Sequence, residues 1–389
     1  MSTTRVLISG ASVAGPTLAF WLHRYGFDVT VVEKAAGIRP GGQAVDFKGR
    51  IHKTVLERMG ILDAVTLASV PDNDGAIVNS KGRKIGITPG AFSGGELNIP
   101  RGDLARILYD LTAETCNYMF GDSIASLTDT AYGVDVTFVH GAPSTFDIVI
   151  GADGIHSNVR KLAFGPESDY VTHLGYYYVL ADLDAGDDDV FYNEPGRMAG
   201  LGGSKAPAFF VFASDKLPDV RDDVDAQKRQ MIRAYSGGRW RLPELLAQIP
   251  SATEFYMDSI SRVTTDRYAT GRVALVGDSA YGNALGGFGT GLAIVGAYVL
   301  AGELSRAGED YPTAFANYES KFRGYASVSR KVNAGRLLAP RSRMGIVGRN
   351  VLFTLLKLFG PLMKLVDKPA TNVVLDNYAQ APSRSLEVD

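Results

Sequence analysis

The chain opens on a run of consecutive apolar positions, Val6-Leu7-Ile8 within Arg5 to Ser9, which fits a strand covered on both faces. A Gly-rich turn follows, Gly10-Ala11-Ser12-Val13-Ala14-Gly15, and then a helical pattern from Ala14 to Tyr25, closed by Gly26. Asp28 to Glu33 reads as a second strand. Two later buried-type runs end in acid-bearing turns: Phe146 to Asp153-Gly154, and Arg272 to Gly277-Asp278. Between them, from about Tyr170 to Arg267, the pattern turns aromatic and β-forming, as in Gly175 to Leu180 and Ala208 to Phe212. That stretch predicts a separate antiparallel sheet, with Asp184 to Val190 and Asp215 to Asp225 as acidic connections. A strong helix is predicted from Gly291 to Ala307, and a helical tail from Pro312 onward, broken near Pro340 and Gly360-Pro361. There is no internal repeat.

Composition narrows the options. A chain of 389 residues has room for two or three packed units, and 46% apolar against 21% charged residues is ordinary for a water-exposed protein. Lys plus Arg (40) nearly balance Asp plus Glu (42), so nothing points to nucleic acid. Cys116 is the single cysteine, which excludes an internal disulfide and a thiolate metal site and suits a reducing, cytoplasmic setting. The start lacks the pattern of an export signal. Met344 to Val366 is the most apolar stretch, but Arg349, Lys357 and Lys364 interrupt it, so no transmembrane span is expected. The five histidines show no metal-ligand spacing, and no metal is expected.

The first motif is the strand, turn, helix and acid of residues 5 to 33. Gly10 permits a tight turn, Gly15 permits close helix packing, and free N–H groups at the helix start can hold a pyrophosphate. Glu33 stands where a carboxylate would accept from an adenosine ribose. Ser12 replaces the middle glycine of that fingerprint. A rival reading makes Ser12 a hydrolase nucleophile, but such an elbow needs a late histidine and the last one here is His173. Asp153 and Asp278 each follow a buried strand beside a glycine, at the sheet edge where ligands approach. One nucleotide site accounts for all three motifs, and together they form the signature of a flavin-binding fold.

On these residues the chain resembles the class A flavoprotein monooxygenases of the para-hydroxybenzoate hydroxylase fold. The landmarks are Gly10 to Gly15 with Glu33, Ile99-Pro-Arg101-Gly-Asp-Leu104, Gly151-Ala-Asp153-Gly154-Ile-His-Ser-Asn-Val-Arg160, and Arg272 to Asp278. Ala14-Gly-Pro, Gly41-Gly-Gln43-Ala-Val-Asp46 and Gly296 to Leu304 look most like the tetracycline-inactivating monooxygenases and actinobacterial polyketide hydroxylases. The resemblance implies an α/β fold: a three-layer, Rossmann-like FAD-binding domain with an inserted antiparallel substrate domain and a C-terminal helix. The expected boundaries are 1–72, 97–169 and 268–339 for the FAD domain, 73–96 and 170–267 for the substrate domain, and 340–389 for the helical tail.

The resemblance also implies roles. Gly10, Ser12, Ala14, Gly15, Glu33, Lys34, Arg101, Ile124, Asp153 and Asp278 are the expected FAD contacts, with Arg160 bracing the motif that it ends. After Asp278 the family usually carries His or Tyr and then Pro; here Tyr281 is present, the Pro is absent and the loop is one residue shorter. Gly287 and Gly289 are expected to offer N–H groups to reduced flavin. NADPH or NADH would reduce FAD transiently, and dioxygen would react at the flavin as a C4a-hydroperoxide that hydroxylates an aromatic or polyketide-type molecule. No protein nucleophile is needed. Gln43, Asp46, Tyr176, Tyr192, Phe210 and Phe212 are the pocket candidates, with the reminder that only alternate strand positions share a face. The tail helix is read as a lid, with a dimer contact or a membrane-surface element as the other options, and the chain as monomer or homodimer. A same-fold reductase or dehydrogenase and a flavin-containing binding protein are the alternative functions. Flavin halogenation is excluded, because Trp21 and Trp240 cannot form its tryptophan motif.

Overall fold

The computed structural model describes residues 3–71, 74–89, 96–186, 189–202, 208–358 and 375–378. Its first sheet has six strands in the order Ala269–Thr270, Val273–Leu275, Ile148–Gly151, Arg5–Ser9, Asp28–Glu33 and Asn117–Phe120. Every neighbouring pair is parallel except the Ala269–Thr270 edge. Val6, Leu7, Ile8, Ile148, Val149, Ile150, Ala274 and Leu275 are all fully buried, as a sheet covered on both faces requires. Helices Ala14–Arg24 and Gly289–Ala307 pack together, and Tyr311–Ala326 packs on the second of them. A three-stranded antiparallel meander, Ile124–Asp129, Val134–Phe138 and Ser144–Phe146, contributes Val134, Val136 and Phe146 to the same core. The single run expected from Phe146 to Gly151 is therefore two strands in two sheets. They part at Asp147, whose N–H donates to the Arg5 carbonyl.

The second sheet has seven strands, ordered Phe255–Val263, Val171–Ala181, Ala208–Ala213, Arg197–Gly202, Asp189–Glu194, Gly75–Val78 and Lys84–Thr88. It is antiparallel except between Asp189–Glu194 and Gly75–Val78, which run parallel. Two helices in this stretch, Val224–Tyr235 and Leu242–Gln248, were not anticipated from sequence. The first is capped by the Asp223 carboxylate, which accepts from the Ala226 N–H at 2.8 Å. It buries only Gln227, Met231 and Tyr235, one residue per turn among charges, too thin a stripe to register as a helical period.

The tail breaks at Pro340 as expected, between helices Ala334–Leu338 and Arg343–Leu358. The Gly360-Pro361 break lies outside the described residues. Leu375 to Tyr378 dock against the helix Gly289–Ala307. The Tyr378 ring occupies the space that a side chain at Gly302 would fill, and its hydroxyl donates to Glu303 Oε1 at 2.6 Å. Asp376 pairs with Arg306 and Lys321, both at 2.7 Å, and its carbonyl accepts from the Tyr298 hydroxyl at 2.8 Å. Replacing Tyr378 by Ala is expected to lower the unfolding free energy by about 3–5 kcal/mol, and by Phe about 1–2 kcal/mol, in urea unfolding. Variants indistinguishable from the parent would show that the tail does not dock.

Candidate cofactor and substrate site

The turn at the first strand end is built by close backbone approach. Gly10 has φ +109°, and a Cβ there would lie 2.5 Å from the Ala152 carbonyl oxygen. A Cβ on Gly15 would overlap the Gly10 carbonyl oxygen. The helix Ala14–Arg24 that follows has no side-chain cap and no acid in its first turn, so its positive end is uncompensated. Ser12 is exposed at the opening, and Ala14 is buried facing Gly277. Glu33 is fixed by two backbone donors, Ala11 N–H to Oε2 and Ala35 N–H to Oε1, both at 2.8 Å. Each oxygen keeps a lone pair for a further donor. Lys34 is paired instead with Asp222 at 2.8 Å, with both side chains largely exposed.

Asp153 collects donors from three segments. Its Oδ1 accepts from the hydroxyls of Ser157 and of Ser279, the latter at 3.2 Å. Its Oδ2 accepts from Asn158 N–H at 2.8 Å, Val159 N–H at 3.1 Å and the Ser9 hydroxyl at 3.4 Å. Beneath it the fully buried Arg160 donates to the carbonyls of Ser279 and Ile155. Burial lowers the Arg160 pKa, and Asp153 opposes that shift. Ile124 is buried, and its carbonyl accepts from Asn158 Nδ2 at 2.7 Å, so it abuts this bracket through its backbone.

Asp278 begins a short helix, Asp278–Tyr281, and its carboxylate accepts no hydrogen bond from the described residues. Burial raises its pKa, and the positive charge of Arg101 pulls it back. Arg101, at the start of helix Arg101–Asp110, likewise has no side-chain hydrogen bond or ion pair among the described residues. Its Nε lies 3.3 Å from where a Cβ on Gly42 would stand, and its N–H donates to the Gln43 carbonyl at 3.2 Å. Asp278 Oδ1 lies 3.5 Å from the equivalent point on Gly289, the first residue of helix Gly289–Ala307. That helix also lacks a side-chain cap and first-turn acids.

The loop between these helices turns through Leu285 (φ +57°) and Gly287 (φ +80°). Asn283 anchors it by donating to the Ser329 and Val332 carbonyls at 2.5 and 3.0 Å. Tyr281 points into the core, 1% exposed, with its hydroxyl 3.5 Å from that of Tyr318. Side-chain bonds and left-handed residues thus shape the loop that lacks proline. Across from Gly287, Lys48 pairs with Asp46 at 3.0 Å and lies 5.2 Å from the Phe288 ring centre. His52, which sequence reasoning missed, accepts the Lys48 N–H at Nδ1 (3.0 Å), faces the Tyr325 hydroxyl with Nε2 (2.9 Å) and packs on Gly291. Burial depresses its pKa to about 4, so it is neutral. A lone histidine in an otherwise apolar helical stripe was its only sequence signal.

The second sheet turns one face to this loop. Tyr176, Tyr178, Met198, Val211 and Ile260 cluster there with Ala284 and Leu285, joined by Phe191 and Phe209 at the margin. Tyr192, Phe210 and Phe212 project the other way, into a core with Met231, Tyr235 and Leu245 of the two covering helices. These three pocket candidates are therefore corrected: register pairs Phe212 with Tyr177 and Phe210 with Val179, opposite in parity to Tyr176 and Tyr178. Tyr176 lies under the tail at Gly335, whereas Tyr178 stands beside Tyr256, with ring centres 5.8 Å apart. Helix Arg343–Leu358 is tied to the same sheet through Arg349, which donates to Asn193 Oδ1 at 2.7 Å and to the Leu337 and Leu338 carbonyls.

Residues 3–326 match the family model described as an FAD binding domain. The chain belongs to that FAD-binding family. It is 42% identical to an uncharacterized Mycobacterium tuberculosis protein over 82% of this chain and 90% of the other. It is 35% identical to a flavin-dependent monooxygenase of Legionella longbeachae, covering 84% of this chain and 87% of that protein. Its fold superposes on the tetracycline destructase Tet(51) with a TM-score of 0.82, at 27% identity, covering 97% of this chain and 100% of the other. This member of the family is an FAD-dependent oxidoreductase of the flavin monooxygenase type. The residues present fit FAD, since two uncapped helix starts, an Asp278–Arg101 couple without hydrogen-bond partners among the described residues and a backbone-pinned Glu33 all open on one sheet edge.

The flavoprotein carries a further charge array between its two sheets. His156, in the Asp153 turn, bonds Glu167 through Nδ1 at 3.0 Å and Asp258 of the second sheet through Nε2 at 2.9 Å. Burial opposes its charge, but those two hydrogen bonds outweigh it and lift the pKa to about 9. Glu167 is desolvated too, yet its bonds to His156 and Arg221 hold it near 2. The raised His156 pKa stabilises the fold fully below its ordinary 6.5, and the gain is lost as pH rises through about 9. The Glu167 part is present above its ordinary 4.5 and fades as pH falls through about 2. The melting-temperature gap between parent and His156→Asn should accordingly be widest between 4.5 and 6.5 and shrink above 9. A gap independent of pH would rule out a charged histidine. For the cofactor turn, Gly15→Ala should weaken FAD retention by roughly tenfold or more on gel filtration, because the Gly10 carbonyl must move.

Proposed function

We propose that this flavoprotein inserts one oxygen atom from dioxygen into an electron-rich ring of an aromatic or polyketide-type molecule, with NADPH or NADH as reductant. One observation carries the reading. The loop that follows Asp278, where the two uncapped helix starts converge, packs through Ala284 and Leu285 on the apolar face of the second sheet that carries Tyr178, Val211 and Met198. A flat ring suits the margin of such an apolar face, and the destructase likeness supports a polycyclic one. FAD, when bound, supplies both acceptance of hydride and activation of dioxygen.

The chain's own contribution is binding and shielding. The first-turn N–H groups of Ala14–Arg24 would hold the pyrophosphate, with Ser12 at the opening, while Glu33 would accept from the ribose. Arg101 and Asp278 would hold the link between phosphate and flavin ring. The start of Gly289–Ala307, through Gly287 and Gly289, would stabilise negative charge on the reduced ring. Gln43, Asp46 and Lys48 line the approach to it. Asp153 is saturated by its own chain and acts as a positioning residue. Arg343–Leu358 would shield the margin of that face from water.

Turnover of ring substrates with NADPH under isotopically labelled dioxygen should place one labelled atom in the product. Unlabelled product would mark a dehydrogenase, and nucleotide oxidation that stays at background across phenols, tetracyclines and anthraquinones would mark a binding protein. Asp278→Ala and Glu33→Gln should each weaken FAD binding by about tenfold, read as loss of yellow absorbance on dilution.

A further inference from the structure

Acidic residues stop at Glu319 and resume at Asp367, and the 47 residues between them hold ten Lys and Arg. The other 342 residues hold 30 cations and all 42 acids, so a nearly neutral protein has its positive charge segregated. Some of these cations are paired: Lys321 with Glu303 and Asp376, Arg323 with Glu319, and Lys357 with Asp74. Arg336, Arg341 and Arg343 are exposed and have no carboxylate partner among the described residues.

Helix Arg343–Leu358, in the middle of this segment, turns Arg349 and Phe353 inward at 8% and 1% exposure. Its other side carries Met344, Val347, Val351, Leu352 and Leu355, exposed by 46% to 86%. These are five of the twelve large apolar side chains exposed among the described residues, gathered on one helix. At 100° per residue they fall within an arc of about 140° and a length of about 17 Å. The edge strand on which the helix packs, Lys84–Thr88, exposes Ile85 and follows the exposed Lys81 and Arg83.

We propose that this face docks on an anionic lipid bilayer, with the helix lying in the plane of the interface. The apolar stripe would sit at the boundary of headgroups and acyl chains, while Arg336, Arg341 and Arg343 would meet lipid phosphates, for which a guanidinium is a two-pronged donor. No helix among the described residues is long and apolar enough to cross a membrane, so the attachment is peripheral. Charge argues against a second copy of the chain as the occupant, because pairing through this stripe brings two sets of arginines together with no acid in the segment to offset them. The inference is independent of the proposed oxygenation, since attachment to a vesicle requires no turnover.

The test is flotation of the full-length, FAD-loaded protein with vesicles of phosphatidylcholine, with and without phosphatidylglycerol. Anionic vesicles should bind at least about tenfold more tightly than neutral ones, with the preference fading in high salt. Val347→Ser with Val351→Ser and Leu355→Ser, and separately Arg336→Glu with Arg343→Glu, should each reduce that binding about tenfold or more while melting temperature and flavin content hold. Equal binding to both vesicle types, or binding untouched by either variant, would overturn the proposal. A dimer in light scattering that the serine variant turns into monomer would overturn it as well, by assigning the stripe to a second copy.

Discussion

A single carboxylate, that of Asp153, holds together the edge on which everything else stands. The ends of three neighbouring parallel strands come from distant parts of the chain, and each ends in a turn with donors that need an acceptor. Asp153 accepts from Ser9 at the end of the first strand, from its own turn at Ser157, Asn158 and Val159, and from Ser279 after the third. Arg160 completes the bracket from below, binding the carbonyls of Ile155 and Ser279. A buried guanidinium without that nearby charge would be costly, so acid and base depend on each other.

Saturating Asp153 decides which groups remain for a ligand. Glu33 has half of its accepting capacity left after two backbone bonds. Among the described residues Asp278 keeps all of it, at a site where desolvation already works against its charge. A carboxylate held there without donors costs free energy. Arg101 and the positive end of Gly289–Ala307 offset that cost, and a ligand supplying hydroxyl or N–H donors relieves it further. The two acid turns that look alike in sequence thus do different work, one binding the protein to itself and the other open to a guest.

The same division governs what could be read from sequence. The Rossmann-like half was legible because its strands, glycines and acids recur at short range, and Arg5–Ser9 and Asp28–Glu33 fall where the apolar pattern put them. Parity in the second sheet was not. Tyr176, Tyr177 and Tyr178 are consecutive and all buried, so hydrophobicity cannot say which of them faces the cofactor loop. Only the register across Ala208–Ala213 settles it, sending Phe210 and Phe212 toward the covering helices and Tyr178 toward Leu285. The helix Val224–Tyr235 escaped notice because it buries three side chains, and the Tyr378–Glu303 contact joins residues 75 positions apart with no local signature.

Helix Arg343–Leu358 inverts the usual arrangement, in which a surface helix turns its apolar stripe to the core. Here a buried arginine makes the inward attachment, through Asn193 and two backbone carbonyls, without a carboxylate among its hydrogen-bond partners. Burial draws its pKa down to about 10, which still leaves it charged at neutral pH. A few directional bonds, the Phe353 ring and the Lys357–Asp74 ion pair hold less strongly than a continuous apolar seam, so this helix is expected to open at lower cost than the central strands beneath it. The proposed closure over the substrate face and the proposed rest on a lipid interface would be two uses of one element, with the balance between them set by what lies on its outer side.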